Sequence, residues 1–283
     1  MSLLLSALEA LPVRPGHCSL QVEVVAGQSA VTSARATSPL KLLTPRSRGP
    51  SVWVYLSSFG GGLVAGDETR LDIRLGPEAR CFIGTQASTK VYRNPLQRPC
   101  GHQSHAVLER GSLLVLVPDP VQAFAGSSYT QRQEFHLERG AGLVLVDWLC
   151  SGRAARGERW VFNRFHSRND VFLGDERLLV DSTLLDPADG PLDGAHRMGR
   201  FNCLALVLLV GEPVREAAAH LLAQVATQPV TRRAAFINSA SPLRDGVLLR
   251  MAGEEVETVA REIHRHLTFL VNALGDDPWA RKG

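Results

Sequence analysis

The chain has 283 residues, 45% hydrophobic and 21% charged, with 31 Lys and Arg against 28 Asp and Glu and a formal charge of +3. This is the composition of an ordinary globular protein and excludes disorder over most of the length. Basic and acidic residues interleave along the chain, which disfavours a nucleic-acid surface, and no apolar run approaches the roughly 20 residues that cross a bilayer.

Residues 1–12 are apolar but carry Glu9, lack a basic start and lead to no small-residue cleavage site. Residues 1–19 therefore read as a loose amino-terminal segment rather than a signal peptide. From residue 20 to about 172, short alternating segments are punctuated by Gly, Pro and Asp, the pattern of strands joined by tight turns. The clearest is residues 69–75, where Leu71, Ile73 and Leu75 share one face and Arg70, Asp72 and Arg74 the other. A repeat runs through this region: LERGSLLVLV at 108–117 returns as LERGAGLVLV at 137–146, and a looser copy, LGPEARCFI, stands at 75–83. A strand, a Gly turn and a second strand thus recur about every 30 residues. One such unit cannot bury its own apolar face, so the fold class expected is mainly β, with stacked β-layers.

Just before the alternating strand, residues 57–67 read SSFGGGLVAGD. Three successive glycines imply positive φ or a close approach by another stretch of chain, and Asp67 suits the polar residue of a turn. The segment is no phosphate loop, because no Lys ends it and a strand rather than a helix follows. Residues 84–95, GTQASTKVYRNP, are more polar than a plain strand requires. They suit either an edge strand blunted by Lys90 or a polar passage or acidic-partner dock in which small hydroxyls stand beside Lys90 and Arg93. Cys100, His102 and His105 have a C-x-H-x-x-H spacing whose side chains could meet one soft or borderline metal, but the pattern is unspecific and its Pro/Gly-flanked setting favours a solvated loop. Asp147 interrupts a Leu/Val-rich strand and must face out or be paired, for instance with Arg153.

The period then changes. Residues 204–210 form an unbroken apolar run suited to a buried strand, and residues 212–227 and 254–274 carry apolar side chains at the three- and four-residue spacing of two amphipathic helices. Pro213 suits the first turn of one and Gly275 closes the other. Residues 231–238 and 246–251 read as strands between them, and residues 276–283 as a loose polar tail. No Gly/Ser/Pro-rich linker precedes residue 204, so residues 1–283 read as one domain. The five cysteines are widely spaced without a C-x-x-C pair, which fits a reducing, cytoplasmic setting. His264 and His266, two apart on a helix, point to different faces. No G-x-S-x-G or H-E-x-x-H motif is present. The alternatives left open are a β-rich hydrolase or lyase using Asp67 and Asp147 as a carboxylate pair, and a plain protein-interaction module.

Taken together, G-G-G-L-V-A-G-D (60–67), T-Q-A-S-T-K-V-Y-R (85–93) and D-W-L-C-S-G-R with G-E-R-W (147–153 and 157–160) resemble, in order and spacing, the urease accessory protein D family. The resemblance runs from about residue 30 to 274. It implies a non-enzymatic scaffold with stacked, β-helix-like sheets and two helices. Such a scaffold works with accessory proteins F and G, the latter a GTPase, and docks on the urease apoprotein, in a complex compatible with a dimer. Nickel would pass in transit through a polar tunnel, with no tightly bound cofactor. A path lined by oxygen ligands and water suits a carrier that must release its metal. By this resemblance Asp67, Thr89, Lys90 and Asp147 lie along or near the path, the carboxylates offsetting the metal's charge, Thr89 supplying a neutral oxygen and Lys90 orienting a carboxylate. Tyr92, Arg93, Arg153 and Glu158 match the motifs as tunnel or partner-interface residues. Bacterial members often carry Pro-Gln-acid before an aromatic segment. Here Pro118-Asp119-Pro120-Val121-Gln122-Ala123-Phe124 is nearer the plant-like form, so no acidic role is assigned to Asp119.

Overall fold

The structure, a computed structural model, describes residues 15–46, 48–229 and 231–280. Its strands are, in chain order, β1 (His17–Val25), β2 (Gln28–Ala36), β3 (Leu40–Leu43), β4 (Val52–Ser58), β5 (Gly62–Leu63), β6 (Glu68–Leu75), β7 (Arg80–Thr85), β8 (Thr89–Val91) and β9 (Cys100–Leu108). There follow β10 (Leu113–Val117), β11 (Val121–Ala123), β12 (Ser128–Leu137), β13 (Gly142–Cys150), β14 (Arg164–Leu173), β15 (Glu176–Leu185), β16 (Cys203–Gly211), β17 (Phe236–Leu243) and β18 (Gly246–Gly253). The α-helices are α1 (Arg215–Ala226), α2 (Val256–His266) and α3 (Leu270–Leu274). None of these is long and apolar enough to cross a membrane.

The chain winds back and forth between two sheets, as the repeat requires. The first has the strand order β15-β14-β12-β9-β6-β1-β2, and the second β17-β18-β16-β13-β10-β7-β4-β3, with β11, β8 and β5 attached beside β13. Each repeat supplies one strand to each sheet, and equivalent strands pair in parallel. Leu75, Leu108, Leu137 and Leu173 therefore fall in one row of the first sheet, and Cys81, Leu114 and Leu143 in one row of the second. Stacking like on like buries the apolar face that a single coil leaves open.

The second sheet is buried on both faces. Leu143 and Leu145 of β13 pack towards the first sheet, while Val144 and Val146 pack with Leu221, Ile263 and Leu270 of the covering helices. That is why β10, β13 and β16 read as continuous apolar runs and β6, facing water on one side, as an alternating one.

Four sequence expectations shift. β1 starts at His17 and Cys18 is fully buried, so the loose amino-terminal segment stops short of residue 19, and residues 1–14 lie outside the described ones. The strand expected at 231–238 lies instead at β17, its register set by the hairpin with β18, in which Leu243 faces Gly246. The second long helix is two pieces. At its break Leu267 N–H donates to both the Ile263 and His264 carbonyls at 3.1 Å, and Leu270 N–H to Leu267 O at 3.0 Å, so the ladder tightens to three-residue spacing before restarting. Leu267 and Leu270 both stay buried, which is why the apolar periodicity runs unbroken across the change. Finally, the Trp279 ring stacks on His264 at 3.8 Å, so the tail folds back as far as it is described.

Candidate functional site

Along the inner face of the first sheet the rows change character. The leucine row is followed by Ile73, Ala106, Phe135 and Val171, then by Leu71, Ser104, Gln133 and Asn169, and then by Thr69, His102, Gln131 and Ser167. Beyond these, Tyr129 and Phe165 join a separate apolar cluster with Leu63, Val91 and Trp160. Two polar rows are thus enclosed between two apolar clusters, and the space between the sheets there is a cavity of about 410 Å³. Exposed Gln86 and Ala87, with half-buried Ser57 and Ser58, line its outer end.

Asp147 faces this cavity from the second sheet, in the phase that Leu143 and Leu145 occupy on the same strand. Its Oδ1 accepts from Gln131 Nε2 at 3.0 Å, and its Oδ2 from Ser167 Oγ at 2.6 Å and Asn169 Nδ2 at 2.9 Å. The carboxylate is therefore held by three neutral donors from the opposite sheet, with no cation among these partners. Burial raises its carboxyl above the usual aspartate range, the three hydrogen bonds pull back, and nearby Asp181 adds to the rise. Its remaining accessible surface is consistent with contact with the cavity, which is large enough for water.

A second carboxylate lines the same space. Asp119 Oδ2 accepts from Thr85 Oγ1 at 2.8 Å, and that hydroxyl accepts from Asp119 N–H at 2.7 Å. The turn before it is pinned by Trp148 Nε1, which donates to Pro118 O at 2.8 Å. Trp148→Phe removes that donor and one ring of a buried indole, and is expected to cost about 1–3 kcal/mol. The shift of the urea unfolding midpoint measures it, and an unmoved midpoint would show that the turn holds without the bond.

His102 contributes a neutral wall. Its Nδ1 is 2.8 Å from Thr69 Oγ1 and its Nε2 3.0 Å from Ser104 Oγ, and burial pushes its imidazole down to about 4. The C-x-H-x-x-H segment is strand β9, not a loop. His102 lines the cavity while His105, three residues on, projects from the other face, so Cys100, His102 and His105 do not meet at one metal.

The other residues singled out from sequence fall into three places. Thr89 lines the cavity with Asp147. Asp67 closes a turn, its Oδ2 accepting from Val64 N–H at 2.9 Å, and Asp67 is not among the residues lining the cavity. Lys90 sits in β8 opposite Gly62; β8 is flanked by β5 and β11 and is not an edge strand. Tyr92, Arg93, Arg153 and Glu158 come together around Phe124 at a shallow outer pocket. There Arg153 pairs with Glu158 rather than with Asp147, its guanidinium lies 4.4 Å from the Phe124 ring centre, and Tyr92 meets the same ring edge-on at 5.5 Å. The Arg153 pair holds the Glu158 carboxyl below its ordinary range.

The glycine run does what its composition implied. Gly60 and Gly61 take φ of 77° and 68°, and a Cβ on Gly62 would lie 2.3 Å from the Lys90 carbonyl oxygen. Gly62→Ala must push β5 off β8 and is expected to cost about 1–3 kcal/mol, the range of overpacking changes. Parallel thermal melts of the variant and the parent chain would read it.

Comparison with known proteins finds relatives along nearly the whole chain. The family model described as UreD urease accessory protein matches residues 14–282. Urease accessory protein UreD of Sorangium cellulosum is 50% identical over 270 residues, which is 95% of this chain and 85% of the relative. Urease accessory protein UreD of an Anaeromyxobacter species is 40% identical over 269 residues, covering 95% and 90% of the two chains. Urease accessory protein D of Arabidopsis thaliana is 33% identical over 288 residues, covering 92% and 98%. With a match across nearly the whole length, the chain belongs to the UreD urease accessory protein family.

Proposed function

We propose that this protein is a urease maturation factor that carries nickel to the urease apoprotein without catalysing a reaction, together with accessory proteins F and G, the latter a GTPase. The observation that supports this reading is the cavity between the sheets, where hydroxyls, amides and the carboxylates of Asp119 and Asp147 stand among apolar side chains such as Leu56, Leu71 and Leu116. Nickel is the cargo. Carboxylate and hydroxyl oxygens with water give it a weak, exchangeable environment. Thiolate capture is disfavoured, because all five cysteines are buried and burial pushes the Cys18 thiol up to about 11 and that of Cys100 to about 12. Asp67 then serves the turn at the start of β6, and the pocket of Tyr92, Arg93, Arg153 and Glu158 serves as a partner contact. Having only Asp147 of the Asp67/Asp147 pair in the cavity counts against the hydrolase alternative, since paired acid–base work needs a shared cleft.

The test is co-expression with urease and the other accessory proteins, reading complex formation, nickel content and urease activity separately. Asp119→Asn and Asp147→Asn are expected to assemble normally and to lower nickel content and activity, while Asp67→Asn stays close to the parent. A double Asp119→Asn, Asp147→Asn protein that loads nickel at the parental rate would overturn the reading.

A further inference from the structure

The outer face of the first sheet, opposite to the cavity, carries a second constellation. Ser19, Asp72, His105, Glu134 and Asp170 occupy one row across five strands, and His136 stands two residues beyond Glu134 on the same face. Two of the row's carboxylates are engaged by arginines at close range: Asp72 by Arg70 at 2.8 Å and Asp170 by Arg168 at 2.7 Å. Asp72 also takes His17 Nε2 at 2.6 Å. Glu134 differs, because its nearest arginine, Arg132, is 3.9 Å away and its close contact is His136 Nε2 at 2.7 Å. The His136 ring lies flat on Phe172, 4.7 Å away with planes 1° apart, and its centre is 5.4 Å from that of His105. One candidate ligand atom from each of His105, Glu134 and His136 falls within 4.8 Å of the other two.

We infer that His105, Glu134 and His136 form a solvent-facing site for a borderline divalent first-row cation, separate from the cavity. The donor set carries the choice of metal. Two imidazole nitrogens and one carboxylate oxygen suit nickel, cobalt, zinc or copper, whereas magnesium and calcium call for oxygen cages. The placement carries the geometry. The three residues stand on two paired strands of a seven-stranded sheet, so their Cα positions are fixed by the ladder, and the Phe172 stack limits the swing of His136. Ligands about 2 Å from one ion lie about 3–4 Å apart. The donor atoms, within 4.8 Å of one another, converge further by rotation of the half-buried His105 and Glu134 side chains towards His136. Three protein ligands leave positions for water or for a ligand from another molecule, so the site fills from solvent and exchanges readily.

The experiment uses the purified full chain, stripped with a chelator and titrated near neutral pH with cobalt(II) by visible absorption and with nickel(II) by calorimetry. His105→Gln, His136→Gln and Glu134→Gln are compared with the cavity double variant Asp119→Asn, Asp147→Asn, and far-ultraviolet circular dichroism confirms folding of each. The parent chain is expected to bind one cation at this site with an imidazole-type cobalt spectrum, distinct from the weak oxygen-donor environment of the cavity. Each of the three Gln variants should weaken that binding by about 10–100-fold, and the cavity variant should keep it. The inference is overturned if the parent binds neither ion, if the folded Gln variants bind as the parent does, or if only the cavity variant loses the cobalt signal. Because the readout is metal on this chain alone, failure here is distinguishable from failure of the transit reading, which is scored on urease.

Discussion

Asp147→Asn is expected to leave the chain folded while lowering nickel loading of urease on the order of 10–100-fold, the usual penalty for removing a group that orients or charges a metal environment. The substitution keeps the size of the side chain but leaves one acceptor oxygen where three donors converge: with that oxygen on the Oδ2 side Ser167 and Asn169 keep their bonds, while Gln131 Nε2 faces the new amide group and keeps its 3.1 Å bond to Ser167 Oγ. What disappears is the negative charge in a space enclosed by two apolar clusters, where its attraction for a divalent ion is screened far less than at the surface. Stability should move the other way. The Asp147 carboxyl is raised in the folded chain, chiefly by burial. A raised acid favours folding while it is protonated, at low pH, and that contribution is lost as pH rises from the unfolded value through the folded one. Ionising Asp147 in the folded chain carries a burial cost that the Asn variant does not bear. The stability of the variant relative to the parent should therefore be greatest at pH 7 and fall towards pH 4, as the parent sheds that cost on protonation. Urea unfolding at both values checks this, and a variant less stable, relative to the parent, at pH 7 than at pH 4 would mean that the three hydrogen bonds outweigh the burial.

The repeat made most of the architecture readable. Leu108 and Leu137 are placed in one row by the identical LERG turns that follow them, and the change to helical spacing after residue 211 marked the helices that the structure places over the second sheet. The site was only half readable, for a physical reason. Thr89 and Asp147 stood out because hydroxyl-rich or charged residues broke an apolar pattern. Gln131 and Gln133 passed unnoticed because β12 carries polar residues on both faces, with Thr130, Arg132 and Glu134 alternating with them, so no period marks which set faces inward. Aligning the repeats by register would have shown it: the phase that holds Phe135 and Leu137 holds Gln131 and Gln133 earlier in the same strand, and the same phase holds His102 and Ser104 in β9. Asp119 was set aside because its neighbours depart from a common motif. Its place in the cavity wall goes with a hydrogen bond to Thr85, 34 residues away, which local sequence does not encode. The break between α2 and α3 was invisible for a related reason, since both pieces present their apolar residues to the same surface.

The sharpest contrast in stability should come from two residues of the same strand and the same face, Phe135 and Gln133. Phe135 is fully buried in the apolar layer, between Ala106 and Val171 in register. Phe135→Ala is expected to cost about 3–5 kcal/mol, the transfer of the ring plus the void left among neighbours that the sheet ladders prevent from collapsing. Gln133 is also buried, but it lines the cavity and donates to Asn169 Oδ1 at 2.9 Å. Gln133→Ala removes that bond next to a space that admits water, so the freed amide oxygen is rehydrated and the cost should be about 1 kcal/mol. Urea unfolding of the two variants against the parent separates the cases. A large penalty at both positions would mean that the polar rows are packed as tightly as the leucine rows, and the space between the sheets would then be too dry and too rigid to pass a hydrated metal ion.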